Sequence, residues 1–451
     1  MKLKRSVVFL LAPALLAIAV LSYIFLSSAK KPNIILITVD ALRADYLGGV
    51  YGYANDTSPQ IDAFARESLV FTNAYCTVPK TSASFASLMT GLHPFFHQTS
   101  PIKDFLREEN LTLAEFLSKN DYETAAIVEN ANLSKFFKFD QGFESYTEVW
   151  KRVDGKAAAT PFITDATSKF LNGKHNKPFF LWVHYIDTHA PYLPPAELVR
   201  YDETRKGRDI SRIEKKIVIG SKIEKQKILN GFSDENYFIA LYEGCVRYVD
   251  GEIGKILEII KRRYQEDTVV IISSDHGEEL GEHNLFFDHG ALTFQSSTRV
   301  PLIVSIPGRK QARIDRPVSL MDIFPTIVED ILHKRIPTTI QGISLFKEEA
   351  GRKLHIYGQS SHAIIAGGRS FIEIKQHYAD RLNIPTRYCF DFQADAAEKH
   401  NLLPGSLSLF LLNNNLYNNY IAKNKYPVRK RGHRDLSEKD LESLKALGYI
   451  N

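Results

Sequence analysis

Three apolar segments that end in carboxylates, two of them with imidazoles as well, and one run rich in hydroxyls, decide what chemistry this chain could perform. "NIILITVD" ends an apolar run in Asp40, "WVHYIDTHAPY" carries His184, Asp187 and His189, and "IISSDHGEELGEH" sets Asp275 beside His276. Each residue alone is more often a loop or helix cap than a ligand. Together they offer oxygen and nitrogen donors of the kind that hold Zn²⁺ or Mn²⁺, or with more oxygens Ca²⁺ or Mg²⁺. The fourth segment, "YCTVPKTSASFASLMTGLHP" (residues 75–94), reads as a turn entering a helix and presents Thr81, Ser82, Ser84 and Ser87. A Thr or Ser at such a place can be merely a helix N-cap. Beside a divalent cation the same hydroxyl becomes a competent nucleophile, because the metal stabilises its alkoxide.

Something must carry these segments to one place. Ile34 to Val39 is a continuous apolar, β-branched run of the kind that forms a strand buried on both faces, and the same grammar recurs in "PFFLWVHY" and "DTVVIISS". Helical patterns lie between them, in "SPQIDAFARESL", "TLAEFLSKN" and "ENYFIALYEGCVRYVDGEIGKILEIIKRR". Strands alternating with helices predict an α/β fold with a mostly parallel sheet covered on both faces. In such sheets the loops after the carboxyl ends of the strands share one crevice. That places Asp40, His184, Asp187, His189, Asp275 and His276 along one edge. Residues 196–235 are charged and lack pattern, which predicts an excursion over the surface. From about residue 350 to 400 the short runs "LHIYG", "SFIEIK" and "RYCFDF" predict a small second sheet, followed by the polar "NNNLYNNY". No internal repeat is present. The organisation expected is an N-terminal segment (1–30), a catalytic domain (31–345) and a C-terminal α+β subdomain (346–451).

The bulk properties narrow the class. The chain has 451 residues, 44% of them hydrophobic and 24% charged, and a net charge of +5 that is spread along its length. That is an ordinary globular composition with no nucleic-acid-binding module. Its two basic runs, "RIEKKIVIGSKIEKQK" and "KYPVRKRGHR", read first as solvated faces. Cys76, Cys245 and Cys389 are too few and too far apart for a disulfide framework or a cysteine metal knuckle. The start, "MKLKRSVVFLLAPALLAIAVLSYIFLSSAKK", joins a basic tip to about 20 mostly apolar residues, enough to cross a bilayer core. It predicts a retained single-pass membrane helix with the rest of the chain outside the cytoplasm. The alternative is a secreted protein cleaved after "SSA".

Several motifs in order carry a resemblance that extends over residues 33–451. "NIILITVDALRADYLGGVYGYANDTSPQIDAFARESLVFTNAYC", "SLMTGLHP", "WVHYIDTHAPY", "IISSDHGEELGEHNLFFDHG" with "TRVPLIV", "CFDFQADAAEKHNLL" and the terminal "LKALGYI" resemble the sulfatase family of the alkaline phosphatase superfamily. The resemblance implies a three-layer alkaline-phosphatase-like sandwich and an enzyme that hydrolyses sulfuric or phosphoric esters. It implies one divalent cation, Ca²⁺, Mn²⁺ or Zn²⁺, held by Asp40, Thr81, Asp275 and His276. Thr81 falls at the nucleophile position, and His189 matches a substrate-contacting His. His289 stands where the family has a Lys or His near the anion or the leaving oxygen. Lys80, next to the nucleophile, is a candidate cation for a tetrahedral anion. The implied partner is an anionic ester of a sulfated or phosphorylated glycan or lipid. His93, His97 and His283 are expected at the surface or behind the site.

The departures from the family pattern are equally specific. Sulfatases oxidise the first residue of a Cys/Ser-x-Pro-x-Arg motif to formylglycine, whereas here Thr81, Ala83 and Phe85 occupy those places. Oxidation of a Thr side chain gives a ketone. Ala41 follows Asp40 where a second metal carboxylate is usual. Direct Thr nucleophiles occur elsewhere in the superfamily, in phosphodiesterases, phosphoethanolamine transferases and lipoteichoic acid synthases. The expected enzyme is therefore a metal-dependent hydrolase with Thr81 as a direct nucleophile and Ser82 as the weaker candidate. The alternatives are a phosphodiesterase or phosphotransferase, a two-metal site completed by Asp187, His189 and His289, and an inactive binding protein that keeps the fold.

Overall fold

The computed structural model describes residues 31–99, 105–152, 160–210, 218–219 and 233–403. Its central sheet contains β1 (Asn33–Val39), β2 (Leu69–Phe71), β3 (Glu123–Val128), β4 (Ser145–Glu148), β5 (Phe179–Tyr185), β6 (Thr268–Ser274), β7 (Leu302–Ser305) and β8 (Ala312–Ile314). The spatial order is β8-β2-β7-β6-β1-β5-β3-β4. The apolar run of β1 is buried along its whole length and lies parallel between β5 and β6. β3 and β4 continue the parallel half, and β7 enters antiparallel to both β6 and β2.

The period-two alternation of β1 divides its side chains between two cores. Ile35, Ile37 and Val39 face a cluster that includes Val246, Val249, Ile253 and Ile256 of the 30-residue helix Glu235–Tyr264. Ile34 and Leu36 face Phe85, Leu88 and Met89 of the helix Thr81–Thr90. Helices on both faces complete a three-layer α/β sandwich. Burying each of these aliphatic side chains contributes roughly 1.5–3 kcal/mol, so the sheet is a rigid base for the loops at its edge. The register sets the level of those loops. Val39 pairs with Tyr185 on one side and with Ser274 on the other, so Asp40, Ile186 and Asp275 all begin loops at the same edge.

A second sheet is antiparallel, in the order β9 (Leu354–Tyr357), β10 (Ser361–Ala366), β11 (Arg369–Ile374) and β12 (Arg387–Asp391), with a helix at Gln376–Leu382. β10 is absent from the expected runs, because Ser361 and His362 at its start mask an otherwise apolar strand. Ile356, Ile365, Ile372 and Phe390 pack against Tyr75, Leu285, Leu292 and Phe294 of the larger unit. Backbone bonds join the two units: Tyr357 N to Thr77 O at 2.9 Å and Gln359 N to Gly290 O at 2.8 Å. Cys76, Cys245 and Cys389 are buried free thiols.

No described helix is long and apolar enough to cross a membrane. The expected membrane helix falls in residues 1–30, and "NNNLYNNY" and "LKALGYI" fall after residue 403; all three lie outside the described residues.

Candidate active site

Asp40 follows β1 and Asp275 follows β6, and with His276 they form the one group of three metal-type ligands among the described residues whose ligand atoms all lie within 4.8 Å of one another. All three side chains are buried. Each carboxylate has one oxygen held and one left bare. Asp40 Oδ2 accepts from Asn130 Nδ2 at 2.5 Å, and Asp275 Oδ1 accepts from the backbone N–H groups of Ala41 (3.1 Å) and His276 (2.9 Å). Asp40 Oδ1 and Asp275 Oδ2 are buried and have no hydrogen-bond partner. His276 Nδ1 lies 2.8 Å from the carbonyl of Gly277. A donor there must be Nδ1–H, which leaves the lone pair of the neutral ring on Nε2, facing both bare oxygens at 3.7 and 3.3 Å. Two unsatisfied carboxylate oxygens and one imidazole lone pair converging in a buried space fit a divalent cation of the Ca²⁺, Mn²⁺ or Zn²⁺ type.

The electrostatics agree with that fit. Burial, followed by the negative charge of Asp40, pushes the Asp275 carboxyl well above its ordinary range. Burial also raises Asp40, but His189, His184 and His276 together outweigh it and hold that carboxyl below the usual range. Two carboxylates this close ionise together only when a positive charge lies between them.

Thr81 opens the helix Thr81–Thr90, and its Oγ1 stands 3.5 Å from both Asp40 Oδ2 and His276 Nε2. The other hydroxyls of the segment point elsewhere. Ser82 reaches Asn132 O at 3.4 Å, Ser84 donates to Asp275 O at 2.7 Å, and Ser87 bonds to His97 Nε2 at 3.0 Å. Thr81 is thus the one hydroxyl of the four that faces the Asp–Asp–His group, and Ser84 braces the Asp275 loop from behind. Lys80 lies outside that group. Its stem crosses Gly290, where a Cβ would come within 1.9 Å of Lys80 Cε, and Gly290 has a left-handed φ of 93°. The left-handed φ favours glycine there, and any Cβ would also displace the flexible Lys80 stem.

His189 and His289, both buried, sit together with ring centroids 4.9 Å apart, and the ring of His289 lies 4.1 Å from that of His276. His189 Nδ1 is 2.7 Å from Ala190 O. His289 Nδ1 is 3.0 Å from Glu278 Oε1, while Tyr192 OH donates to Glu278 Oε2 at 3.1 Å. Asp187 joins no such group. Its Oδ1 instead accepts from Thr160 Oγ1 at 2.5 Å, so Asp187, His189 and His289 do not assemble as a second metal-ligand set. Of the two places expected for His93 and His97, the surface is excluded, since both are buried, and His97 stands behind the Thr81–Thr90 helix against Ser87. His283 stacks on Phe294 at 3.4 Å, away from the ligands.

Three residues of the site were given no role by sequence reasoning. Asn130 holds Asp40, Glu278 holds His289, and His184, placed at the edge but given no role, bonds through Nδ1 to Thr38 Oγ1 at 3.0 Å and brings Nε2 to 3.6 Å from Asp40. Phe85, at the place of the family's arginine, packs on Trp182 and edge-on against His184 at 4.9 Å. Ala41, at the place of the missing carboxylate, adopts φ 57°; its N–H binds Asp275, and its carbonyl accepts from Tyr242 OH at 2.8 Å. The backbone N–H of Ala41 thereby ties the loop after β1 to the Asp275 carboxylate of the loop after β6.

The family model described as Sulfatase matches residues 32–329. An arylsulfatase of Clostridium perfringens is 26% identical over 460 residues, covering 83% of this chain and 90% of the relative. An ulvan-active sulfatase of Formosa agariphila is 26% identical over 420 residues, covering 83% and 77%. Among solved structures, a phosphonate monoester hydrolase of Agrobacterium radiobacter superposes with a TM-score of 0.66 at 18% identity, covering 89% of this chain and 100% of that one. That last likeness concerns the fold.

Proposed function

This chain belongs to the sulfatase family, and on that premise we propose that it is a metal-dependent hydrolase of the sulfuric ester class acting on an anionic glycan ester, with unmodified Thr81 as its nucleophile. The observation that carries the reading is the position of Thr81 Oγ1, 3.5 Å from Asp40 Oδ2 and from His276 Nε2, beside the two bare carboxylate oxygens. Asp40, Asp275 and His276, with the Thr81 hydroxyl, would hold a divalent cation. When bound, such an ion stabilises an alkoxide and offsets the charge that develops on the transferred group.

The remaining roles belong to the chain's own side chains. Thr81 Oγ1 gives up its proton to solvent and attacks the central atom of the ester; the new bond to Oγ1 forms as the bond to the leaving oxygen breaks, and that oxygen takes up one proton in return. His289, held by Glu278, and His189 face the space in which that oxygen takes up a proton. Water then attacks the same central atom, releases the inorganic anion and restores the hydroxyl. Lys80, one residue before the nucleophile, adds positive charge near the anionic group. The name of the ulvan-active relative supports a glycan as the substrate class.

For location, we place the catalytic unit outside the cytoplasm on an anchor formed by residues 1–30, on the strength of their basic tip and apolar run. Retention in membranes after a high-salt wash, with residue 1 present, is the expected behaviour. A soluble chain starting near Lys30 would replace the anchor with a cleaved leader.

The test of the function is a panel of chromogenic sulfate, phosphate and phosphonate esters assayed with Ca²⁺, Mn²⁺ or Zn²⁺. Metal-dependent turnover that disappears in Thr81→Ala is expected. Turnover of no ester with any of the ions would favour the binding-protein alternative.

A further inference from the structure

The chain enters its central sheet at the edge opposite the Asp–Asp–His group, and that entry is clamped. Asn33 N–H donates to Asp267 O at 2.7 Å, its Nδ2 donates to Thr268 Oγ1 at 3.2 Å, and its Oδ1 accepts from Phe179 N–H at 3.2 Å, so the first residue of β1 is tied to the starts of both β5 and β6. Lys31 Nζ reaches Asn120 O at 2.9 Å, and Tyr122 OH donates to Pro32 O at 2.8 Å. Asn33 is the seventh residue after Leu26, the last large apolar residue of the N-terminal run. Seven residues span at most roughly 25 Å even when fully extended.

The turns around that entry are basic. Lys174 and Lys177 precede β5, Lys261, Arg262 and Arg263 end the helix that precedes β6, and Arg309 and Lys310 follow β7; all seven are exposed. The same three stretches (173–178, 261–267 and 306–311) hold two carboxylates, Glu266 and the half-buried Asp267. The excess of five equals the formal net charge of the whole chain, +5, so the remainder is formally neutral. β5 and β6 flank β1, and β7 lies one strand beyond β6, which starts all three turns within roughly 10 Å of the entry. A helix C-terminus favours cations on its own account, which explains Lys261, Arg262 and Arg263. It does not explain Arg309 and Lys310, which follow a strand. Arg309 pairs with Asp330 at 3.8 Å yet keeps 39% of its side chain exposed.

We propose that this edge is a docking surface for anionic phospholipid, on which the protein rests with its active site turned away from the bilayer. The proposal rests on the membrane-anchor reading above. Clustered cations attract anionic headgroups, and so short a tether keeps these turns next to the lipid. β1 climbs roughly 20 Å from Asn33 to Val39, so Asp40, Thr81 and Asp275 face material beyond the lipid surface.

The test uses the full-length protein in phosphatidylcholine vesicles, with or without phosphatidylglycerol, that carry a headgroup quencher. The three cysteines are buried, so a fluorophore on Asn176→Cys, exposed between Lys174 and Lys177, reports on this edge alone. Stronger quenching is expected with phosphatidylglycerol, and it should fade in about 1 M salt, where the screening length is about 3 Å. Lys174→Gln with Lys177→Gln removes two cations and should lower the ratio of docked to undocked protein by at least about tenfold. Arg309→Gln with Lys310→Gln should do the same from another turn. All four residues are exposed, and substitutions at such places change stability little. Equal quenching in the two lipid mixtures overturns the surface. A reporter that responds to sulfated dextran but not to phosphatidylglycerol overturns it too and assigns the edge to a polyanionic glycan. A chain that starts near Lys30 and still binds phosphatidylglycerol vesicles through Lys174 and Lys177 keeps the surface and rejects the anchor, whereas a chain that keeps residue 1 and is quenched equally in both mixtures does the reverse.

Discussion

Asp40 and Asp275 stand at the ends of adjacent parallel strands and each turns one buried oxygen, Oδ1 and Oδ2 respectively, toward His276 Nε2 with no hydrogen bond on either. A fold that isolates two like charges in this way is destabilised by them until a cation arrives. One divalent ion per chain is therefore expected in protein purified without chelator, measured by elemental analysis. At a metal concentration 100 times the dissociation constant the folded state gains about 2.7 kcal/mol, so chelation should lower the melting temperature by several degrees. Asp275→Ala should abolish that metal-dependent shift and reduce turnover by more than about a hundredfold. A metal-replete, active Asp275→Ala protein would mean that the ligands are wrongly assigned.

Glu278 is expected to act by positioning His289. Its carboxylate accepts at both oxygens, from His289 Nδ1 and from Tyr192 OH, and it is fully buried. Glu278→Gln keeps the shape but can no longer offer His289 an anionic partner at full strength. Turnover should fall about 10- to 100-fold while KM and bound metal stay near wild type. The loss should be greatest for esters with poor leaving groups, which need the most help from a proton donor. Equal losses across a leaving-group series would reduce Glu278 to a packing role.

His97 makes the fold acid-sensitive in a way that is separate from catalysis. Thr99 N–H donates to its Nδ1 at 3.0 Å, so the ring's one proton is on Nε2, directed at Ser87 Oγ, and a second proton would face the Thr99 N–H. Burial and the neighbouring charge of His93 lower its pKa to about 3. Because the folded-state pKa lies below the unfolded value of about 6.5, the contribution is fully present above pH 6.5 and is lost as pH falls from there toward 3. At pH 5 the loss is on the order of 2 kcal/mol for this one group. Chemical denaturation at pH 7.5 and pH 5 should show a smaller acid-induced loss in His97→Gln than in wild type; equal losses would remove His97 as the source.

What could be read before the structure follows from where the information sits along the chain. Asp40 and the Asp275–His276 pair were legible because each directly follows an apolar strand run, and strand ends in a parallel sheet converge. Thr81 was singled out by the family motif, and the helix that displays it turns Ser82, Ser84 and Ser87 to other partners. Asn130 and Glu278 were not legible. Asn130 matters because β3 runs two strands from β1 and its following loop folds back onto Asp40. Glu278 matters because Tyr192 and His289, 86 and 11 residues away in sequence, meet at its two oxygens. Neither relationship leaves a local pattern. Phe85 was legible only as the replacement of the motif's arginine, whereas in the fold it packs against Trp182 and His184.

The identity of the nucleophile fixes the reaction's second half. Thr81 has neither the residue type nor the neighbouring Pro and Arg that formylglycine formation requires, and Ala83 and Phe85 are both buried in that helix. A covalent intermediate on an unmodified threonine must be released by attack of water at the central atom, because Thr81 offers no gem-diol from which the anion could be eliminated. Phospho-threonine admits that attack more readily than sulfo-threonine does. A sulfate ester should accordingly give a burst of alcohol followed by slow turnover, and a phosphate or phosphonate ester of the same alcohol should turn over faster. Mass spectrometry of the peptide spanning residues 80–95 should find unmodified Thr81 at rest and a sulfo-adduct on Thr81 after quenching during the burst. Thr81→Ala should lose several orders of magnitude in rate, as removal of a nucleophile does elsewhere, whereas Ser82→Ala, whose hydroxyl makes only a 3.4 Å contact to Asn132 O, should lose far less. Sulfate release by Thr81→Ala at a rate near wild type, or an oxidised residue in the resting peptide, would overturn the assignment.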